Sequence, residues 1–148
     1  MPRKNAYARR NKLSDVETLT PIGGPRPIGP YSHAAVANGF VFVSATAGID
    51  PRTGKLAGRS LTAQAHQIFD NIENFLKAAG SSLNRVLHVT VYLKDVKDFE
   101  ALNAIYIERM GAHRPARSVI GVADLPKRGA RLTMSVIALS RNTKAKQR

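Results

Sequence analysis

Residues 60–93 read SLTAQAHQIFDNIENFLKAAGSSLNRVLHVTVYL, and the change of hydrophobic period inside them decides the fold class. Ala65, Ile68, Phe69, Ile72, Phe75, Leu76 and Ala79 recur at three- and four-residue spacing, which predicts one apolar face of a helix. Ser60 is placed to cap its first turn and Gly80 to stop its last. From Val86 the period drops to two. Leu87, Val89, Val91 and Leu93 are expected on one face and His88, Thr90 and Tyr92 on the other, as in a strand with one side on a core.

The same alternation of elements continues on both sides. Asp95 or Asp98 opens a second helix through Met110, with Phe99, Leu102, Ile105, Tyr106 and Met110 as its stripe and Asn103 beside it. His113 to Gly121 reads HRPARSVIG: Pro115 stiffens the entry to a β-branched strand, Gly121 marks a bulge or a close approach, and Arg117 sits at the strand's mouth. A turn over Asp124–Gly129 leads to a last strand, Arg131–Leu139. In it Leu132, Met134, Val136 and Ala138 face one way, and Arg131, Thr133, Ser135 and Ile137 the other. Upstream, PIGGPRPIGP (21–30) is a loop, and Asn38-Gly39 joins a strand at Ala35–Ala37 to a return strand at Phe40–Ala47. Asp50–Gly54 is a further turn.

Hairpin, helix, strand, helix, strand, strand is the order of an α+β fold: a mixed sheet with both helices on one face. The other face mixes Val and Ile with Thr, Ser and Tyr. That is too apolar for open water and suits an interface with a small cleft, so a homo-oligomer is expected.

Of the net charge of +13, nine units lie in residues 1–12 and 141–148, which contain no acid; all ten carboxylates fall between. Residues 1–16 are accordingly read as a basic, disordered tail, 17–140 as a single domain and 141–148 as a second basic tail. Such tails allow weak, non-specific binding of nucleic acid. No apolar run is long enough to span a membrane. The absence of cysteine rules out disulfides and thiolate chemistry and accords with a reducing, cytoplasmic setting. The first twelve residues lack the serines and the long amphipathic stretch of a transit peptide.

His33, His66, His88 and His113 form no metal-ligand spacing, and no Walker, Rossmann or GxSxG motif is present. What remains is a set of polar residues on strand ends and loops: Tyr31, Ser32, Ser44, Asn103, Arg117 and Thr133. A guanidinium at position 117 offers a planar fork matched to a carboxylate or phosphate.

Gly29-Pro30-Tyr31-Ser32, Phe42-Val43-Ser44, Asn103 with Tyr106, Pro115-Ala116-Arg117-Ser118 and Leu125-Pro126-Lys127 occur in the order of one family. From about residue 25 to 140 the chain resembles the Rid (reactive intermediate deaminase), or YjgF, proteins. The resemblance implies a chorismate-mutase-like α+β fold assembled as a trimer, with sites in the clefts between subunits. It implies hydrolysis of 2-imino acids, the tautomers of enamines such as 2-aminoacrylate, to 2-keto acids and ammonia without a cofactor or metal. Arg117 would bind the substrate carboxylate, and Tyr31, Ser32, Ser44 and Asn103 would line the pocket. Some relatives are described as ribonucleases, which makes a nucleic-acid-associated protein working through its tails the alternative.

Two departures from the family pattern stand out. Ala45-Thr46 replaces the usual Gly-Gln. Thr133 and Ser135 stand where the last strand usually carries glutamates, the first of which is thought to orient the attacking water. Thr133 can hold a water but is no base near neutral pH, which leaves a carboxylate-binding protein with little deaminase activity as a further alternative. Asp124 supplies a carboxylate only if its loop folds inward. Arg131 is read as a solvent-facing strand start, although alternation places it on the face of Thr133.

Overall fold

The computed structural model describes residues 8–13 and 15–140. Seven strands, β1 (Ala8–Leu13), β2 (Val16–Pro21), β3 (Ala34–Ala37), β4 (Phe40–Thr46), β5 (Val86–Leu93), β6 (Ala116–Gly121) and β7 (Leu132–Leu139), form one mixed sheet in the order β1-β2-β3-β4-β7-β5-β6. Only the β5–β6 pair is parallel, joined across the helix α2 (Phe99–Met110). The longer helix α1 (Leu61–Ala78) precedes β5. This is the α+β architecture expected.

The local chemistry explains the boundaries. Ser60 Oγ accepts from the Ala63 amide at 3.1 Å, capping α1. At the other end Gly80 takes φ +74°, while the Ser81 amide reaches Leu76 O (2.7 Å) and the Gly80 amide Lys77 O (3.1 Å). Those paired bonds satisfy carbonyls that the last turn would otherwise leave open. Asn38 and Gly39 both have positive φ, the requirement of the tight turn between β3 and β4. Gly121 is a close approach rather than a positive-φ bulge: a Cβ there would lie 2.6 Å from Val96 Cγ1.

Phe69, Phe75, Ile68, Ile72 and Leu76 of α1 and Leu102 of α2 bury completely against Val41, Val89, Val91 and Met134 of the sheet. The opposite face is left open, with Phe40, Phe42 and Ile120 exposed on it.

Four expectations are corrected. Ala8–Leu13, assigned to a disordered tail, pairs antiparallel with β2, and β2 itself begins at Val16; residues 1–7 and 141–148 lie outside the described residues. Leu87 is exposed, because the β5–β7 register slips between Val86 and His88 and Val86 takes the inward place. Phe99 is exposed at the start of α2 rather than buried in its stripe. The two aspartates divide their expected roles: Asp95 caps the short 3₁₀ turn Val96–Asp98, while Asp98 makes no side-chain cap and pairs with Arg131.

Candidate functional site

The polar residues singled out in the sequence fall into two groups. Tyr31, Ser44 and Thr133 line a concavity of about 510 Å³ at the end of β4 and β7, walled by the 25–31 loop and by Pro126 and Lys127. Arg117 and Asn103 lie elsewhere.

In the concavity, the Ser44 hydroxyl donates to Ser32 O at 2.7 Å, so its remaining capacity is to accept. Thr46 is turned the same way, donating to Ser44 O at 2.8 Å. Thr133 is buried, and its hydroxyl carries no partner among the described residues without being sealed from the concavity that the residue lines. Tyr31 is 41% exposed and stands at the opening. Ser32 contributes its carbonyl here and borders a neighbouring groove with Thr18 and Thr20. Arg26 and Lys127 supply positive charge to the wall, and no carboxylate lines it.

Neither outlying charge reaches the concavity. Asp124 pairs with Lys94 and stays exposed, its carboxyl held below the usual carboxylate range mainly by the Lys94 hydrogen bond. Arg131 turns to Asp98, with Nη2 at 2.8 Å from Oδ2.

Arg117 lies on β6, the far edge of the sheet. Val43, Val136, Val89 and Arg117 occupy one rung across β4, β7, β5 and β6. Three strand spacings, roughly 14 Å, therefore separate the backbones of β4 and β6. Arg117 shares the helix-side face of Val89, whereas Ser44 and Thr133 lie on the open face. One chain does not bring them together.

The Arg117 guanidinium is held by neutral groups. Nη2 donates to Asn103 Oδ1 at 2.9 Å, and the guanidinium carbon sits 4.6 Å from the Tyr106 ring centroid and 5.7 Å from that of Phe99. No carboxylate pairs with it among the described residues, in contrast to Arg109 with Asp70 and Arg131 with Asp98. Aromatic faces and an amide oxygen stabilise the cation without discharging it, which leaves the fork electrostatically open to an anion. Burial pushes the Tyr106 phenol upward, with Arg117 and Arg114 pulling the other way.

His33 was the missed residue. It is buried in the wall of the concavity, stacked on Phe75 at 4.3 Å, with Nε2 2.6 Å from Pro25 O. The signal was its place directly after Gly-Pro-Tyr-Ser, where the chain turns into β3. Among the described residues no group of three His, Cys, Asp or Glu is placed to hold a metal, and no helix is long and apolar enough to cross a membrane.

Residues 22–140 match the family model described as Endoribonuclease L-PSP. A RutC family protein of Pyrococcus horikoshii is 44% identical over 111 residues, covering 75% of this chain and 88% of that one. The protein named "Protein MMF1, mitochondrial" of Saccharomyces cerevisiae is 38% identical over 130 residues, covering 86% and 88%. The crystal structure of RidA from an Antarctic Psychrobacter superposes with a TM-score of 0.76 at 36% identity, over 79% of this chain and 94% of that one. By sequence and fold together, the chain belongs to the Rid/YjgF (L-PSP) family.

Proposed function

We propose that this protein hydrolyses reactive 2-imino acids and their enamine tautomers to 2-keto acids and ammonia, without a cofactor, in a site completed between copies of the chain in a homotrimer. The observation that carries the reading is the Arg117 guanidinium, fixed by Asn103 and Tyr106 and left without an acidic partner among the described residues. It is a seat for the substrate carboxylate. Tyr31, Ser44 and Thr133 of a neighbouring copy would close over the reacting carbon, since within one chain they lie on the other side of the sheet.

The chemistry asks little of the protein. The carbon of a protonated imine is already electrophilic, so holding the acid and placing a water beside C2 supplies most of the acceleration. Positioning of that kind is worth roughly 7–11 kcal/mol at its upper end. Ser44, whose proton is committed to Ser32, is oriented to accept from the substrate's N–H. Arg26 and Lys127 make the cleft favour organic acids over neutral carbonyl compounds.

The test generates the imine of 2-aminoacrylate in situ and follows keto-acid formation in competition with semicarbazide. The wild-type protein should outrun the trap and Arg117→Ala should not. A wild-type rate equal to that of buffer removes the deaminase reading.

A second reading rests on charge. Residues 1–12 and 141–148 carry nine basic residues and no acid, and the matching family model is described as an endoribonuclease. Salt-sensitive, sequence-indifferent RNA binding is its expected form. Replacing the nine basic residues of both segments by glutamine, which keeps strand β1 in the chain, should abolish RNA binding and leave imine hydrolysis intact; RNA binding that survives the replacement contradicts a role for that charge.

A further inference from the structure

We infer that His33 is the general base of this site, its Nδ1 taking the proton that the attacking water sheds. The inference rests on the deaminase reading above and assigns the one role that reading leaves vacant.

One contact fixes the tautomer of His33. His33 Nε2 lies 2.6 Å from Pro25 O, and a carbonyl oxygen only accepts. Nε2 therefore carries the ring proton, and Nδ1 presents a lone pair. Nδ1 has no partner among the described residues, although the side chain as a whole is only 4% exposed. Among the described residues the Tyr106 hydroxyl is the one sealed polar side-chain atom without a partner. Nδ1 is thus not sealed, and His33 lines the concavity together with Tyr31, Ser44 and Thr133.

Every other polar group there is unsuited to the task. Arg26 and Lys127 are cations, Tyr31 is a phenol, and Ser44, Thr46 and Thr133 are hydroxyls that remain protonated at neutral pH. From α1 the ring meets Phe75, which carries no charge. No carboxylate lines the space. Burial holds the His33 imidazole below the ordinary histidine value, against a smaller opposing effect of the Pro25 carbonyl, so it is neutral and ready to accept at pH 7.

The ring is also built to carry the proton briefly. The Nε2–H bond to Pro25 O strengthens when the imidazole becomes cationic, and stacking on Phe75 and the edge of Tyr31 (centroids 6.1 Å apart) fixes its plane. The steps balance. Water oxygen bonds to C2 while the C=N π pair moves to nitrogen, and Nδ1 takes the proton released. It passes that proton to the amine nitrogen. As the C2–N bond breaks it takes the hydroxyl proton, leaving the 2-keto acid and ammonia. Thr133, which lines the same wall, holds the water in line.

The test compares kcat/KM against pH for the wild-type protein and His33→Gln, using the imine of 2-aminoacrylate for both so that substrate ionisation cancels. Glutamine keeps an N–H for Pro25 but has no basic nitrogen. The wild type should show an acid limb with its midpoint below 6.5. The variant should lose that limb and about 10²-fold in kcat, with binding of 2-oxobutanoate unchanged. A variant that retains the wild-type profile overturns the assignment while leaving the deaminase reading standing. A wild-type protein without turnover overturns both. Should His33→Gln fail to fold, ¹⁵N NMR of the wild-type ring decides: an unprotonated Nδ1 titrating with the acid limb supports the role, and a protonated Nδ1 or an unmatched midpoint contradicts it.

Discussion

Asn103 Oδ1 accepts a 2.9 Å hydrogen bond from Arg117 Nη2, joining α2 to the edge strand β6 through a cation that no carboxylate neutralises among the described residues. The amide aims the fork while leaving its charge free. Asn103→Asp should therefore convert the seat into a closed ion pair. We expect binding of 2-oxobutanoate, measured by calorimetry, to fall at least tenfold with no loss of melting temperature. Asn103→Ala should weaken binding by about 1.5–3 kcal/mol through loss of the charge-assisted bond that orients the guanidinium.

The proposed sharing of the site between copies has its own signature. Arg117→Ala and Tyr31→Ala, each inactive alone, should regain activity when unfolded and refolded together. In randomly mixed trimers roughly a quarter of the sites receive both intact partners. Recovery of nothing, from trimers shown to be mixed, means that each site draws on a single chain.

The pH dependence of stability follows from His33. Its folded-state pKa is lowered by burial, so the unfolded chain takes up the proton first as pH falls. Its contribution to stability is complete above 6.5 and is lost progressively from there down through the lowered folded value. Melting temperatures measured from pH 8 to 5 should fall over that window in the wild type and fall less in His33→Gln.

A carboxylate can be returned to the last strand. In a His33→Gln background, Thr133→Glu should restore turnover and move the acid limb of kcat/KM toward the carboxylate range, since Thr133 lines the same concavity. An inactive double variant that still binds 2-oxobutanoate places the proton acceptor elsewhere.

Gly48 packs directly against α1: a Cβ there would lie 2.5 Å from Gln64 O and 2.8 Å from Gln64 Cα. Backbone cannot rotate away, so Gly48→Ala should cost about 1–3 kcal/mol in denaturant unfolding. Gly54→Ala meets no atom within 4 Å, and only its positive φ opposes the change, at about 1 kcal/mol.

Most of the fold was legible because its elements obey one dominant period each. α1 keeps its stripe from Ala65 to Phe75 and ends on caps that the residue types specify, and Asn38-Gly39 admits little but a tight turn. Leu87 misled because a register slip is a property of the pairing with β7, invisible in β5 alone. β1 was missed because its charge resembles a solvated tail, and a strand at the sheet edge needs no apolar alternation. In the site, Arg117 and Asn103 were named from separate segments, and the 2.9 Å bond between them needed the fold. His33 went unassigned because its place after Gly-Pro-Tyr-Ser puts it beside the site without distinguishing a structural histidine from one whose second nitrogen is left without a partner.

The most direct measurement is a crystal structure of the protein with 2-oxobutanoate. The account predicts the carboxylate within hydrogen-bonding distance of the Arg117 guanidinium, with Tyr31, Ser44 and Thr133 of a neighbouring copy around the keto carbon. A ligand bound away from Arg117, or enclosed by one chain alone, would contradict it.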